Sequence, residues 1–81
     1  MRLDKYLKVS RLIKRRTIAS EACGAGRVLV NDKPAKASYD IKVGDVIAIS
    51  FGTRETKVRV TEVKEHVSKD DAALMYEIVQ E

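Results

Sequence analysis

The hydrophobic period of this chain changes once, at Gly24-Ala25-Gly26, and that change limits what it can fold into. Before it, apolar residues recur at helical spacing; after it, they alternate in short runs. Leu3, Tyr6 and Leu7 stand at i, i+3 and i+4 and define one helix face, with Arg2, Lys5 and Lys8 on the other side. Leu12 falls out of phase at ~100° per residue. The helix is therefore expected to break near Val9 or Ser10, with Leu12 and Ile13 packing after a change of direction. A second helix is expected to start at Thr17 as N-cap, to bury Ile18, Ala19, Ala22 and Cys23, and to end on Gly26 as a left-handed C-cap. Beyond it, "RVLVN" reads as a strand that Asn31-Asp32 reverses, and Lys33-Pro34-Ala35-Lys36 as an edge strand. "IKVGDVIAISF" follows, with Gly44 in a turn that calls for positive φ. "TKVRVTEV" alternates, sending Val58 and Val60 one way and Lys57, Arg59 and Thr61 the other. Ser68 is expected to cap a single helical turn with Asp70 and Asp71 in its first positions, and "MYEIV" to form a last strand.

This order predicts an α+β domain: two N-terminal helices packed on a small, mostly antiparallel sheet. The 81 residues are expected to form one domain, with a core over about 1–63 and a short turn and strand over 66–81. Tyr6 and Phe51 are expected inside.

The charge is as uneven as the pattern. Seven of the first sixteen residues are Lys or Arg against one Asp, while the other 65 hold nine basic and eleven acidic side chains. All of the net +4 thus comes from the opening segment. On the first helix Asp4 has Lys8 as its i+4 partner, which leaves the other cations uncompensated. They continue into Lys14-Arg15-Arg16, ahead of the second helix, where backbone donors and the helix dipole favour an anion. Uncompensated like charge costs a small protein stability, and a polyanion partner supplies the missing charge.

No residue set suggests catalysis. His66 and Cys23 are the only His and Cys, they lie in different elements, and no third group links them. Cys23 reads as a small buried hydrophobe in a reducing, cytosolic setting, and His66 as a surface residue. Gly24 and Gly26 precede a strand rather than a helix, so they form no phosphate-cradling loop. Neither a metal site nor a cofactor site is expected.

Three polyanions compete for the basic face. Membrane docking wants large apolar residues beside the cations, and here the apolar stripe holds the helix to the sheet. A DNA reader usually offers base-reading side chains to a groove, whereas the first helix offers Lys and Arg suited to phosphates. Single-stranded RNA calls for stacking aromatics, and the chain has three Tyr and one Phe. The expectation is a protein that reads the shape and backbone of structured RNA, with no membrane or DNA partner.

"RLDKYL", an "R" and "RR" ahead of a helix, "GRVLVN" with a Lys after the turn, and "VGDVI" together resemble the S4-like RNA-binding domain over Arg2 to about Val63. The length, the "VSRLIKRRT" join and the ending "AALMYEIVQE" are most similar to small members in bacterial ribosome-associated quality control, relatives of the fifteen-kilodalton heat-shock protein. That resemblance implies a non-catalytic factor on stalled large ribosomal subunits. It would contact ribosomal RNA and peptidyl-tRNA and work with an RqcH-type tRNA-recruiting factor while alanines are added to the nascent chain. A stand-alone S4-like protein acting on another structured RNA, such as an assembling ribosome, is the alternative. The protein is expected to be a monomer in the cytoplasm.

Carried over by position, the resemblance makes Arg2, Lys5, Arg11, Lys14, Arg15 and Arg16 phosphate contacts, with Lys8 on the same face. Asp4 is implied either to accept a hydrogen bond from an RNA hydroxyl or to hold a neighbouring Arg. Arg27 and Lys33 complete the surface, and Gly26 and Asn31 supply backbone geometry. Asp32 departs from the Gly that often follows Asn at this turn, which favours Lys33 over the turn tip as the contact.

Overall fold

The computed structural model describes residues 1–79, so the final Gln80 and Glu81 of the ending quoted above lie outside the described residues. Helix α1 spans Leu3–Val9 and α2 spans Arg16–Gly24. Strands follow at Val28–Val30 (β1), Lys33–Pro34 (β2), Val46–Phe51 (β3), Arg54–Val60 (β4) and Tyr76–Ile78 (β5), with a 3₁₀ turn at Ala72–Met75. The strands form one sheet in the order β2-β1-β3-β4-β5, and every pairing is antiparallel.

At seven residues, α1 is too short to hold itself together in water, where isolated helices need ~12–15 residues. Packing holds it instead. Leu3, Tyr6 and Leu7 are fully buried against Ala19 and Cys23 of α2 and Val28, Ile47, Ile49, Val58 and Val60 of the sheet. Each large apolar side chain buried in this way contributes about 1.5–3 kcal/mol. The Tyr6 hydroxyl donates to the Met75 carbonyl at 2.7 Å, and burial, with Tyr76 nearby, pushes its pKa upward. Met75 is itself fully buried, so the C-terminal segment closes over the same core.

Local stereochemistry places the breaks. Helix α1 ends at Val9 with Ser10 as C-cap, and Arg11 takes a left-handed φ of 64° that turns the chain and lets Ile13 reach the core. At the end of α2 the Gly26 N–H donates to Cys23 and the Arg27 N–H to Ala22, a Schellman closure with Gly26 at φ 74°. Val30 faces Lys33 across a two-residue turn in which Asn31 and Asp32 both have positive φ, 52° and 69°. The Asn31 side chain then fastens this turn to β3, accepting from the Val46 N–H and donating to Asp45, each at 3.1 Å.

Five expectations need correction. Helix α2 begins at Arg16, one residue ahead of Thr17; Arg15 is the extended N-cap and no side chain caps the helix. Ile18 is 44% exposed, because burial of Ala19 and Cys23 one turn apart sets the phase and turns Ile18 outward. Phe51 is also exposed, since it ends β3 at the hairpin and borders an open groove beside α2 rather than the core. The C-terminal turn starts at Ala72, so Asp70 and Asp71 precede it, although Ser68 Oγ does accept from the Asp71 N–H at 3.2 Å. The last strand accordingly begins at Tyr76 rather than Met75.

Candidate nucleic-acid interface

The first N–H groups of α1 are already used. Leu3 donates to the Tyr39 carbonyl, Asp4 to the Ala37 carbonyl and Lys5 to the Asp4 carboxylate. The loop ahead of β3 therefore seals this helix end, and Met1 binds Asp40 through its ammonium at 2.7 Å. The start of α2 is different: its N-cap, Arg15, makes no side-chain cap, and Arg15 and Arg16 are both exposed there. Two exposed arginines thus stand at a helix start, where an anion is favoured.

Asp4 joins the two helix starts. Its carboxylate is 5% exposed and accepts from Arg2 Nε at 3.1 Å and Arg2 Nη2 at 3.3 Å, while Arg16 Nε lies 3.3 Å away. The i+4 pair with Lys8 is not formed: Asp4 faces α2 and is taken by the arginines, and Lys8 stays in solvent. Burial alone pushes the Asp4 carboxyl up; hydrogen bonds from Arg2, Arg16 and the Lys5 N–H outweigh it and hold it below the usual carboxylate range. Arg2 and Arg16 keep 54% and 48% of their side-chain surface exposed. One buried anion thus aims two exposed guanidinium groups outward, each with free donors for phosphate.

Lys5 is also paired, with Glu65 from the far end of the chain. Lys8, Arg11 and Lys14 line a common groove with Glu65, His66 and Lys69. Lys33 lies beside Tyr39 at the hairpin, next to the loop that seals α1. Arg27 lines a separate groove with Ile18 and Phe51, and no contact joins it to the Asp4 cluster among the described residues. Lys69 was not anticipated; it follows in sequence long after the basic opening, and no local pattern signals its position. Cys23 is buried, and burial, then the Asp4 charge, pushes its thiol up, away from the nucleophilic thiolate.

Arg11 offers a test in which stability and binding separate. A non-glycine residue in the left-handed region costs about 1–2 kcal/mol. Arg11→Gly is expected to leave thermal stability unchanged or slightly raised, by up to about 1 kcal/mol. If Arg11 meets phosphate, the same variant binds structured RNA about ten- to hundredfold more weakly, as removal of one charged hydrogen-bond donor implies. Calorimetry and fluorescence anisotropy on the same sample measure both.

Comparison with known proteins identifies the family and the fold. Residues 1–47 match the S4 domain family model. The RQC P-site tRNA stabilizing factor of Streptococcus pneumoniae is 56% identical over 81 residues, covering 100% of this chain and 92% of that protein. The Bacillus subtilis protein of the same name is 52% identical over 81 residues, covering 100% and 94%. Among solved structures, the trimeric Heat Shock Protein 15 of Vibrio cholerae superposes with a TM-score of 0.90 at 26% identity, covering 98% of this chain and 81% of that one. With the two helices, the sheet and the sequence all in agreement, the chain belongs to the S4 domain family of RNA-binding proteins, in the branch that holds the RQC P-site tRNA stabilizing factors.

Proposed function

We propose that this protein is a non-enzymatic factor that binds stalled large ribosomal subunits and steadies the peptidyl-tRNA they carry. It contacts rRNA and tRNA through its N-terminal cations while an RqcH-type factor brings the tRNAs for C-terminal alanine tailing. It acts in the cytoplasm and as a monomer. Peptide-bond formation stays with the ribosome. The observation that carries this reading is the Asp4-centred pair of exposed arginines at the junction of two helices, in a chain 56% identical to a protein named for stabilising P-site tRNA. Arg2, Lys8, Arg11, Lys14, Arg15, Arg16 and Lys33 are the proposed phosphate contacts. Arg27 is a peripheral one, and Lys5 acts through Glu65. Gly26 and Asn31 serve by shaping the backbone beneath them.

Sedimentation of tagged protein through a sucrose gradient tests the proposal. Co-migration with large subunits carrying peptidyl-tRNA, abolished after puromycin releases the nascent chain, is the expected result. Migration with small subunits, or only as free protein, overturns it.

A further inference from the structure

The groove at the end of α1 is bounded by the α1–α2 loop and by the segment around residues 65–69, and encloses about 520 Å³. Lys8, Arg11, Lys14 and Lys69 bring four cations to its walls, against one carboxylate, Glu65. That carboxylate is held by Lys5. With Glu65 paired, the lining cations outnumber the carboxylate and the groove is net positive. Among the described residues, none of the four lining cations has an ion-pair partner. Val9 and Val67 supply an apolar wall of the kind that accepts the face of a sugar. Arg11 stands at φ 64°, a conformation glycine would adopt at lower cost, which puts a long cation where the fold alone favours none.

Chain continuity selects the ligand. Lys14, on the groove wall, is followed directly in the chain by Arg15 and by Arg16 of the Asp4 cluster, so the two sets of cations adjoin along one stretch of backbone. An RNA strand has that continuity of charge; a short acidic peptide does not require it. We propose that this groove is a second RNA-backbone site, in which Lys8, Arg11, Lys14 and Lys69 hold phosphates of the RNA engaged by the Arg2–Asp4–Arg16 cluster. Lys69 is thereby a binding residue supplied from outside the 1–47 segment. Lys5 is a positioning residue that offsets the charge of Glu65 on the groove wall. The inference rests on the RNA-binding function proposed above.

The probe is a fluorescein-labelled tRNA transcript, titrated by anisotropy into the full chain. Lys69→Glu is expected to weaken binding about five- to tenfold and to make the log–log salt slope shallower by about 0.7–0.9, the change that follows when one phosphate is no longer neutralised. Glu65→Gln is expected to tighten binding. Lys5→Ala is expected to weaken it, and Lys5→Ala with Glu65→Gln to recover at least the wild-type affinity. Lys69 is exposed and unpaired, so its variant should fold normally, which circular dichroism checks. Wild-type binding by Lys69→Glu, alongside a weakening in Arg16→Glu, overturns the groove and leaves the proposed function standing. Absence of salt-dependent tRNA binding by the wild-type chain overturns the RNA-binding reading itself. Equal competition by polyglutamate at matched charge overturns the inference in favour of an acidic protein partner.

Discussion

Replacing Arg16 by Glu is expected to weaken binding of structured RNA by about 30- to 100-fold. Removal of a charge-assisted hydrogen bond to phosphate accounts for about 1.5–3 kcal/mol of that, and the reversed charge repels what remains of the anion. The fold does not escape untouched. Arg16 contacts the buried Asp4 carboxylate, so the new carboxylate would face an existing one across the junction of α1 and α2. Because the Arg16 side chain is 48% exposed, solvent screens much of this, and a stability loss of about 1 kcal/mol is expected. Arg16→Gln removes the cation without the repulsion. It is expected to keep nearly all the stability and still bind about tenfold more weakly. Thermal melts beside anisotropy titrations distinguish the two effects. Wild-type RNA affinity in both variants would show that Arg16 only braces the helices.

The second large effect is expected at Asp4, and its sign is informative. Asp4→Asn raises the net charge by one, so a surface that bound RNA by charge alone would bind more tightly. If Asp4 aims Arg2 and Arg16, the variant binds more weakly, by about tenfold, because both guanidinium groups lose their anchor. Stability should fall by about 1–2 kcal/mol, below the ~3–5 kcal/mol of a fully buried pair, because the arginines are half in solvent. In a domain of this size that lowers Tm by about 4–8 °C for each kcal/mol. The pH dependence follows from the lowered Asp4 pKa. The folded state favours the ionised carboxylate, so this stabilisation is complete above the unfolded carboxyl value of ~4 and disappears as pH falls through the lower folded value. The wild type should therefore lose more stability on acidification across that window than Asp4→Asn does. Urea melts between neutral and acidic pH measure the difference; parallel curves would remove Asp4 from the account.

Local stereochemistry made much of the fold legible. The i, i+3, i+4 set of Leu3, Tyr6 and Leu7 can be satisfied by one helix face, and the phase slip at Leu12 requires the turn that Arg11 makes. Gly26, Gly44 and the Asn31-Asp32 pair announce positive φ because few other residues tolerate it. Errors arose where tertiary packing decides between nearly equivalent local choices. Thr17 is a good cap by type, yet the phase set by Ala19 and Cys23 starts the helix a residue earlier. Ile18 and Phe51 are apolar by type, but the phase of α2 turns Ile18 outward and Phe51 ends β3 at the hairpin, and both border one open groove.

The candidate site was legible as a set of cations and illegible as a circuit. Helical spacing pairs Asp4 with Lys8, whereas the fold gives it Arg2 and Arg16. Lys5 meets Glu65, sixty positions away, and Lys69 joins a groove begun by Lys8. No periodicity carries that information, because these pairings exist only once the C-terminal segment has closed over the core through Met75. The structure also separates Arg27, on the side of Ile18 and Phe51, from the arginines around Asp4.

The most direct test of the central claim, that cations from neighbouring N-terminal segments form one RNA-phosphate surface, is the salt dependence of affinity for structured RNA. With about seven to eight phosphates neutralised, log affinity is expected to fall against log salt with a slope of roughly −5 to −7. A flat titration, with affinity independent of salt, would contradict it.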